Sequence, residues 1–206
     1  MDDITTIYSF IHQAEKLKNE LRHSFTSAGR QESVAEHTWR MALMAILIGS
    51  KLDKKVNFEK LLKMIVIHDI VEIEAGDIPV PRMVGNDALQ KMKRENELKA
   101  IEHIRRYFGS DTGEEIYSLW NEFEAAESYE AKVALALDKL EVQIQHNEAD
   151  IATWEPVEYS LVYSRDKYVA FDSFLAELKN IIVNESEEKM RAAGIDVTST
   201  KKRKFD

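Results

Sequence analysis

Residues 58–74 read Phe-Glu-Lys-Leu-Leu-Lys-Met-Ile-Val-Ile-His-Asp-Ile-Val-Glu-Ile-Glu. The apolar residues recur at three- and four-residue intervals rather than alternating, which predicts an amphipathic helix. Asn57 stands where an N-cap belongs, so the helix is expected from Phe58 to about Glu74. His68 follows Leu61, Met64 and Ile65 on the apolar face, and Asp69 sits beside Ile65 and Val66. An ionised carboxylate buried without a partner costs several kcal/mol or more. An aspartate at that position therefore needs a counter-charge from elsewhere in the fold.

The same signature recurs on both sides of this stretch. Ser33-Val34-Ala35-Glu36 has the form of a capping box and opens a helix to about Leu52. On it, His37 falls in line with Val34, Met41, Met44 and Ile48. Ser128 caps a helix from Tyr129 to about Ala149, and Asp138 is embedded there in the apolar run from Val133 to Leu140. Residues 4–21 read as a first amphipathic helix, followed by a polar segment from Arg22 to Gln31. Gly76 to Pro81 reads as a loop, because two prolines break a helix. A charged helix is expected over 88–108 behind Asp87, another from Thr112 to about Ala126, a turn at Trp154-Glu155-Pro156, then a short helix and a longer one over 166–192.

With 7 Gly, 3 Pro and no alternating β-branched runs, the pattern predicts an all-α, single-domain helical bundle. The bundle is expected to occupy residues 1–165. Residues 166–206 would add a C-terminal helix and a basic frayed tail, Lys201 to Lys204. Cysteine is absent, which excludes disulfides, thiolate ligands and thiol nucleophiles. The net charge of -9 argues against long nucleic acid as a partner. No signal peptide and no apolar run of membrane-spanning length is seen, so a cytoplasmic protein without membrane attachment is expected.

His37, His68, Asp69 and Asp138 thus lie on predicted buried faces of three helices. A single divalent cation would compensate both aspartates and leave open positions for water and substrate. Two imidazoles disfavour Mg²⁺ and Ca²⁺, leaving Zn²⁺, Mn²⁺, Co²⁺, Fe²⁺ and Ni²⁺. Taken singly, each residue has a plainer reading: a satisfied core histidine, or an aspartate paired with an arginine. Glu72, four residues past His68, projects toward the same point and suits a general base, or is a solvated residue at a helix end. Asp77 opens the proline loop, where an Asx turn is its ordinary role.

The stretches Glu32-Ser-Val-Ala-Glu-His37, Ile67-His68-Asp69-Ile-Val-Glu72, Gly76-Asp77-Ile-Pro79 and Leu137-Asp138-Lys-Leu-Glu141 resemble the HD-domain hydrolase superfamily, and within it the 5′-deoxynucleotidase branch. The resemblance spans roughly residues 4 to 165. It implies that His37, His68, Asp69 and Asp138 bind the metal and that Glu72 and Asp77 are catalytic. It also implies that Ile78, Pro79 and Val80 line the nucleotide site, and that the protein is a homodimer. Exposed apolar positions expected on the 88–108 helix, such as Ile101 and Ile104, are compatible with a dimer. Arg22 and Phe25 stand where the branch carries an arginine and usually a tryptophan. Arg22 would grip phosphate through its planar fork.

The activity implied is removal of the 5′-phosphate from a deoxyribonucleoside monophosphate by a water that the ion activates. Two other readings stay open: a mononuclear guanosine-polyphosphate hydrolase or phosphodiesterase, and a helical scaffold with a structural metal. Dinuclear phosphodiesterases need further histidines before the last aspartate, and only His103 lies in that interval.

Overall fold

The structure is a computed structural model that describes residues 3–202. Fourteen segments matter here. They are α1 (Ile4–Ala14), β1 (Leu21–Phe25), β2 (Gln31–Ser33), α2 (Val34–Ile48), α3 (Phe58–Ile67), α4 (Glu72–Ala75) and α5 (Val80–Met83), then α6 (Asp87–Phe108), α7 (Asp111–Ala125), α8 (Tyr129–Glu148), α9 (Glu158–Leu161), α10 (Asp166–Val169), α11 (Ser173–Ala192) and α12 (Val197–Lys201). The architecture is all-α, with one two-stranded antiparallel hairpin. No helix among the described residues is long and apolar enough to cross a membrane.

The caps explain where the main helices begin. Ser33 and Glu36 form the predicted capping box on α2. The side chain of Asn57 accepts from Lys60 N on α3, and that of Ser128 from Ala131 N on α8. These bonds satisfy backbone donors that a helix start would otherwise leave unpaired. The main core then forms where α2, α3, α7, α8 and α11 meet, with Met41, Ala45, Leu61, Met64, Ile65, Ala134, Leu137 and Leu175 fully buried. The last long helix belongs to this core through Leu175 and Ile182. It is also tied to α8 by bonds from Gln143 to Ser186 and from Asn147 to the Ile182 carbonyl.

Five expectations are corrected. The first helix ends at Ala14, with a 3-10 turn over Glu15–Lys18, and the polar segment folds back as β1 and β2. Gly29 turns this hairpin at φ 77, and Gln145 of α8 donates to the Phe25 carbonyl at 2.7 Å, which seats the hairpin on α8. The loop containing both prolines gives way to helix at Val80. Pro81 lies in the first turn of α5, where a missing N–H costs nothing.

Ile101 and Ile104 were expected to be exposed apolar positions on α6. They are 0% and 1% exposed, because Ile101 packs with Trp120 and Val71, and Ile104 with Phe10 and Ile73. Of the basic tail, Arg203 and Lys204 lie outside the described residues, and Lys201, expected in a frayed end, closes α12 instead.

The fifth correction positions the site. The helix predicted to Glu74 stops at Ile67, and residues 68–71 form a tight turn before α4. Ile70 N, Glu72 N and Ile73 N each donate three residues back, at 2.9, 3.0 and 3.3 Å. The His68 carbonyl leaves the helical ladder and accepts instead from Trp120 Nε1 at 3.1 Å. In such a turn residues three apart eclipse, so Glu72 aligns with Asp69 rather than with His68.

Trp120→Phe leaves the buried His68 carbonyl without this donor. It should cost about 1–3 kcal/mol, read as a lowered midpoint in urea unfolding.

Candidate active site

His37 and His68 approach from α2 and the end of α3, with ring centroids 5.6 Å apart. Each has its Nδ1 engaged by a fixed partner. His37 Nδ1 is in a short contact with Glu141, and His68 Nδ1 lies 2.7 Å from the Ile65 carbonyl, to which it can only donate. With Nδ1 so engaged, Nε2 is the atom that each ring, once neutral, offers to an ion. Both Nε2 atoms are buried and have no hydrogen-bond partner among the described residues. His68 Nε2 is 3.0 Å from Asp69 Oδ2, and His37 Nε2 is 3.3 Å from Asp138 Oδ1. Ligand atoms of His37, His68 and Asp69 all lie within 4.8 Å of one another, and Asp138 adjoins them through His37. Two orphaned imidazole nitrogens beside two carboxylates form a donor set that fits a divalent transition metal.

A second trio, Glu32, His37 and Glu141, is equally tight, and its two carboxylates each have an arginine beside them. Arg40 Nε donates to Glu141 at 2.6 Å, and Arg22 Nε lies 3.5 Å from Glu32. Glu141 thereby orients His37, whose Nδ1 it engages. Burial opposes a charge on His37, as does nearby Arg22. Glu141 and Asp138 outweigh both and hold its pKa at about 9. Despite burial, the carboxyls of Asp69 and Asp138 stay well below the ordinary range. The main causes are His68 for Asp69, and Lys139 and then His37 for Asp138.

Glu72 is 5% exposed, and its Oε2 has no hydrogen-bond partner among the described residues. Burial and then Asp69 and Asp77 push its pKa up to about 10. Asp77 is also pushed up, chiefly by burial. Its loop is held by Glu20, which accepts from Asp77 N at 2.9 Å. Gly76 permits the turn at φ 70, with a hypothetical Cβ 3.4 Å from the same Glu20 oxygen.

A cleft of about 340 Å³ opens beside Asp138. Its walls include the predicted residues Arg22, Asp77, Pro79, Val80 and Asp138. Phe25 and Ile78 are not among the lining residues; His23 and Ser24 represent the hairpin instead. Arg22 also bonds Asp69 Oδ2 at 3.3 Å, so it reaches a proposed ligand directly. His23, His146, Lys139, Glu158 and Arg165, none of them among the predicted site residues, also line the cleft. Glu158 accepts from Glu155 N at 2.7 Å and lies 3.2 Å from His146 and 3.5 Å from His23. Burial resists its charge, but the two histidines hold its pKa down to about 2. A second cavity on the other side of Asp138 is bordered by His68, Asp69 and Lys93. His103 borders neither cavity: it is exposed and paired with Glu74 at 2.6 Å.

This arrangement of a histidine, a His-Asp turn and a late aspartate on a helical bundle has a counterpart among known families. The model of the HD domain matches residues 14–178, and the chain belongs to the HD-domain family. It is similar to the 5′-deoxynucleotidase HDDC2 of Danio rerio, at 34% identity over 170 residues, covering 82% of this chain and 80% of that protein. The protein of the same name from Homo sapiens is 30% identical over 153 residues, 73% of this chain and 72% of that one. Among solved structures, the chain resembles a "Predicted metal-dependent phosphohydrolase" from Magnetospirillum magnetotacticum MS-1. The TM-score is 0.74 at 30% identity, with 90% of this chain and 96% of that chain covered. The family match passes residue 165, where the sequence resemblance ended, and takes in α10 and the start of α11.

Glu141→Gln removes the charge that orients His37. It should weaken Mn²⁺ binding roughly 10–100-fold, measured by calorimetric titration.

A proton on His37 Nε2 competes with the ion. Because the pKa of metal-free His37 lies above its ordinary 6.5, its stabilising contribution is complete below that value and is lost as pH rises toward about 9. Over the same range Mn²⁺ affinity should rise, by roughly tenfold per pH unit for one displaced proton, and then level off. A chelator-competition series across neutral and alkaline pH reads this slope.

Proposed function

We propose that this protein is a metal-dependent phosphoric monoester hydrolase that removes the 5′-phosphate of nucleoside monophosphates, with deoxyribonucleotides as the preferred class. The observation that carries the reading is the pair of buried, orphaned Nε2 atoms beside Asp69 and Asp138, at the edge of a cleft of nucleotide scale. The similarity to proteins named 5′-deoxynucleotidase supports the substrate class.

In this reading His37, His68, Asp69 and Asp138 hold one ion of Mn²⁺, Co²⁺, Zn²⁺, Fe²⁺ or Ni²⁺. When bound, the ion supplies Lewis-acid charge that activates water, polarises a phosphoryl oxygen and offsets the repulsion among the carboxylates around Glu72. Glu72 takes the proton from the attacking water. Its raised proton affinity follows from burial beside Asp69 and Asp77, and a base needs that affinity once its neighbours' charge is offset. Arg22 spans Asp69 and the cleft, and stabilises charge on the phosphoryl oxygens while fixing the Asp69 carboxylate. Asp77 orients water or the sugar from the wall that Pro79 and Val80 complete.

We further infer a cytoplasmic homodimer. The exposed apolar face of α2, with Trp39 65% and Leu47 65% exposed, supports self-association.

Glu72→Ala should lower kcat by roughly 10²–10⁴-fold while the metal content of the purified protein stays at the wild-type level. Retained turnover would remove Glu72 from the mechanism. Phosphate release from deoxy- and ribonucleoside monophosphates tests the substrate class. Pyrophosphate release from a guanosine polyphosphate, with no phosphate from monophosphates, would overturn it.

A further inference from the structure

Arg165 lies at the end of a 3-10 turn, Val162–Arg165, that borders the cleft. It is 9% exposed. Its Nη1 donates to Ser164 Oγ at 3.0 Å, and that hydroxyl in turn donates to the Leu161 carbonyl at 2.7 Å. Its Nε has no partner among the described residues, and no described carboxylate lies within salt-bridge distance of its guanidinium. The other two arginines around the metal cluster differ in this respect. Arg22 has Asp69 and Glu32, and Arg40 has Glu141 and Glu148.

A guanidinium that is taken out of water and given no anion is costly to fold around. Burial accordingly lowers its pKa, with only longer-range relief from Tyr168, Asp138 and Glu158. Glu158, the acidic residue of the same wall, is occupied by two histidines and a backbone N–H. The neighbouring surface adds positive charge rather than removing it. Lys167 and Lys139 also border the cleft, with their ammonium groups 4.9 and 6.0 Å from the Tyr168 ring centroid. Lys139 Nζ is 2.8 Å from Asp138, so this cationic wall reaches the edge of the metal cluster. A neutral nucleobase would leave the charge unbalanced, whereas a phosphate dianion balances it and matches the planar donor fork.

We infer that Arg165 is a phosphate-binding residue, completing with Arg22 a two-arginine clamp on the phosphoryl group of the substrate. The identity of that group as a nucleotide phosphate rests on the reading above; the anion site itself does not.

The test uses the metal-loaded full chain and inorganic phosphate as the probe. In Arg165→Gln the dissociation constant for phosphate, measured by calorimetry, should rise roughly 10–100-fold, with a smaller rise in Arg165→Lys. KM should rise by one common factor for all four deoxyribonucleoside monophosphates. Arg165→Met replaces the buried charge with an apolar chain and serves as the folding control. Its Tm without phosphate should equal or exceed that of the wild type, and the rise in Tm that phosphate induces in the wild type should vanish. An unchanged phosphate affinity in Arg165→Gln overturns the inference. So does a KM effect confined to one base, or a phosphate-induced Tm rise that survives Arg165→Met. A wild-type chain that binds phosphate through Arg165 yet hydrolyses no nucleoside monophosphate sinks the nucleotidase reading and upholds this one.

Discussion

Glu141 accepts the Nδ1 proton of His37 deep between α2 and α8, and the rest of the site depends on that contact. It fixes the ring so that Nε2, not Nδ1, faces His68, Asp69 and Asp138. It also places a negative charge in the interior, which Arg40 neutralises from the same helix as His37. Arg40 in turn reaches Gln145 and Glu148 further along α8, and Gln145 holds the hairpin through the Phe25 carbonyl. One buried histidine is thereby linked to the strand that carries Arg22 into the cleft. The metal cluster and the proposed phosphate clamp share a single polar scaffold, and this couples affinity for the ion to the position of Arg22.

Much of this was legible in the sequence because helical periodicity is a local signal. His37 and Asp138 sit in unbroken amphipathic helices, so counting along the chain placed both on buried faces. His68 is buried as expected, whereas Asp69, expected on a buried face, is only half-buried. The reason given for Glu72 was incomplete, because the helix was expected to continue through them. What ends it is a hydrogen bond from Trp120, fifty-two residues away, and no local pattern encodes that. The hairpin escaped for a similar reason. Leu21 to Phe25 has little β character, and its pairing is secured by a long-range contact from Gln145. Ile101 and Ile104 seemed exposed because charged residues surround them in the sequence, yet α7, α4 and α1 cover that face. Arg165 had no signal of its own. An arginine in a polar stretch is ordinary until the fold buries it without a carboxylate.

The segment from Glu158 to Val169 illustrates how a fold can add function at low structural cost. It consists of three short helical turns, none long enough to be stable alone. They are held by Val162 and Val169, both buried, against the clusters beneath. Their cleft-facing sides supply Glu158, Ser164, Arg165 and Tyr168. Changes here would alter the cleft wall while sparing the four candidate ligands, which lie on α2, the turn after α3, and α8.

The chain contains three tryptophans, and two of them hold backbone carbonyls of histidines at the site. Trp120 donates to the His68 carbonyl at 3.1 Å and Trp154 to the His146 carbonyl at 2.9 Å, and both are buried. Each indole is thus a hydrogen-bonded chromophore fixed to one wall: Trp120 to the turn that carries Asp69, Trp154 to the end of α8 that lines the cleft. Trp39, on the α2 face inferred to self-associate, is the third emitter and reports on that surface rather than on the site. The protein therefore carries an optical reporter of its own on each side of Asp138. The two walls can be followed separately by single-tryptophan emission, with no label attached.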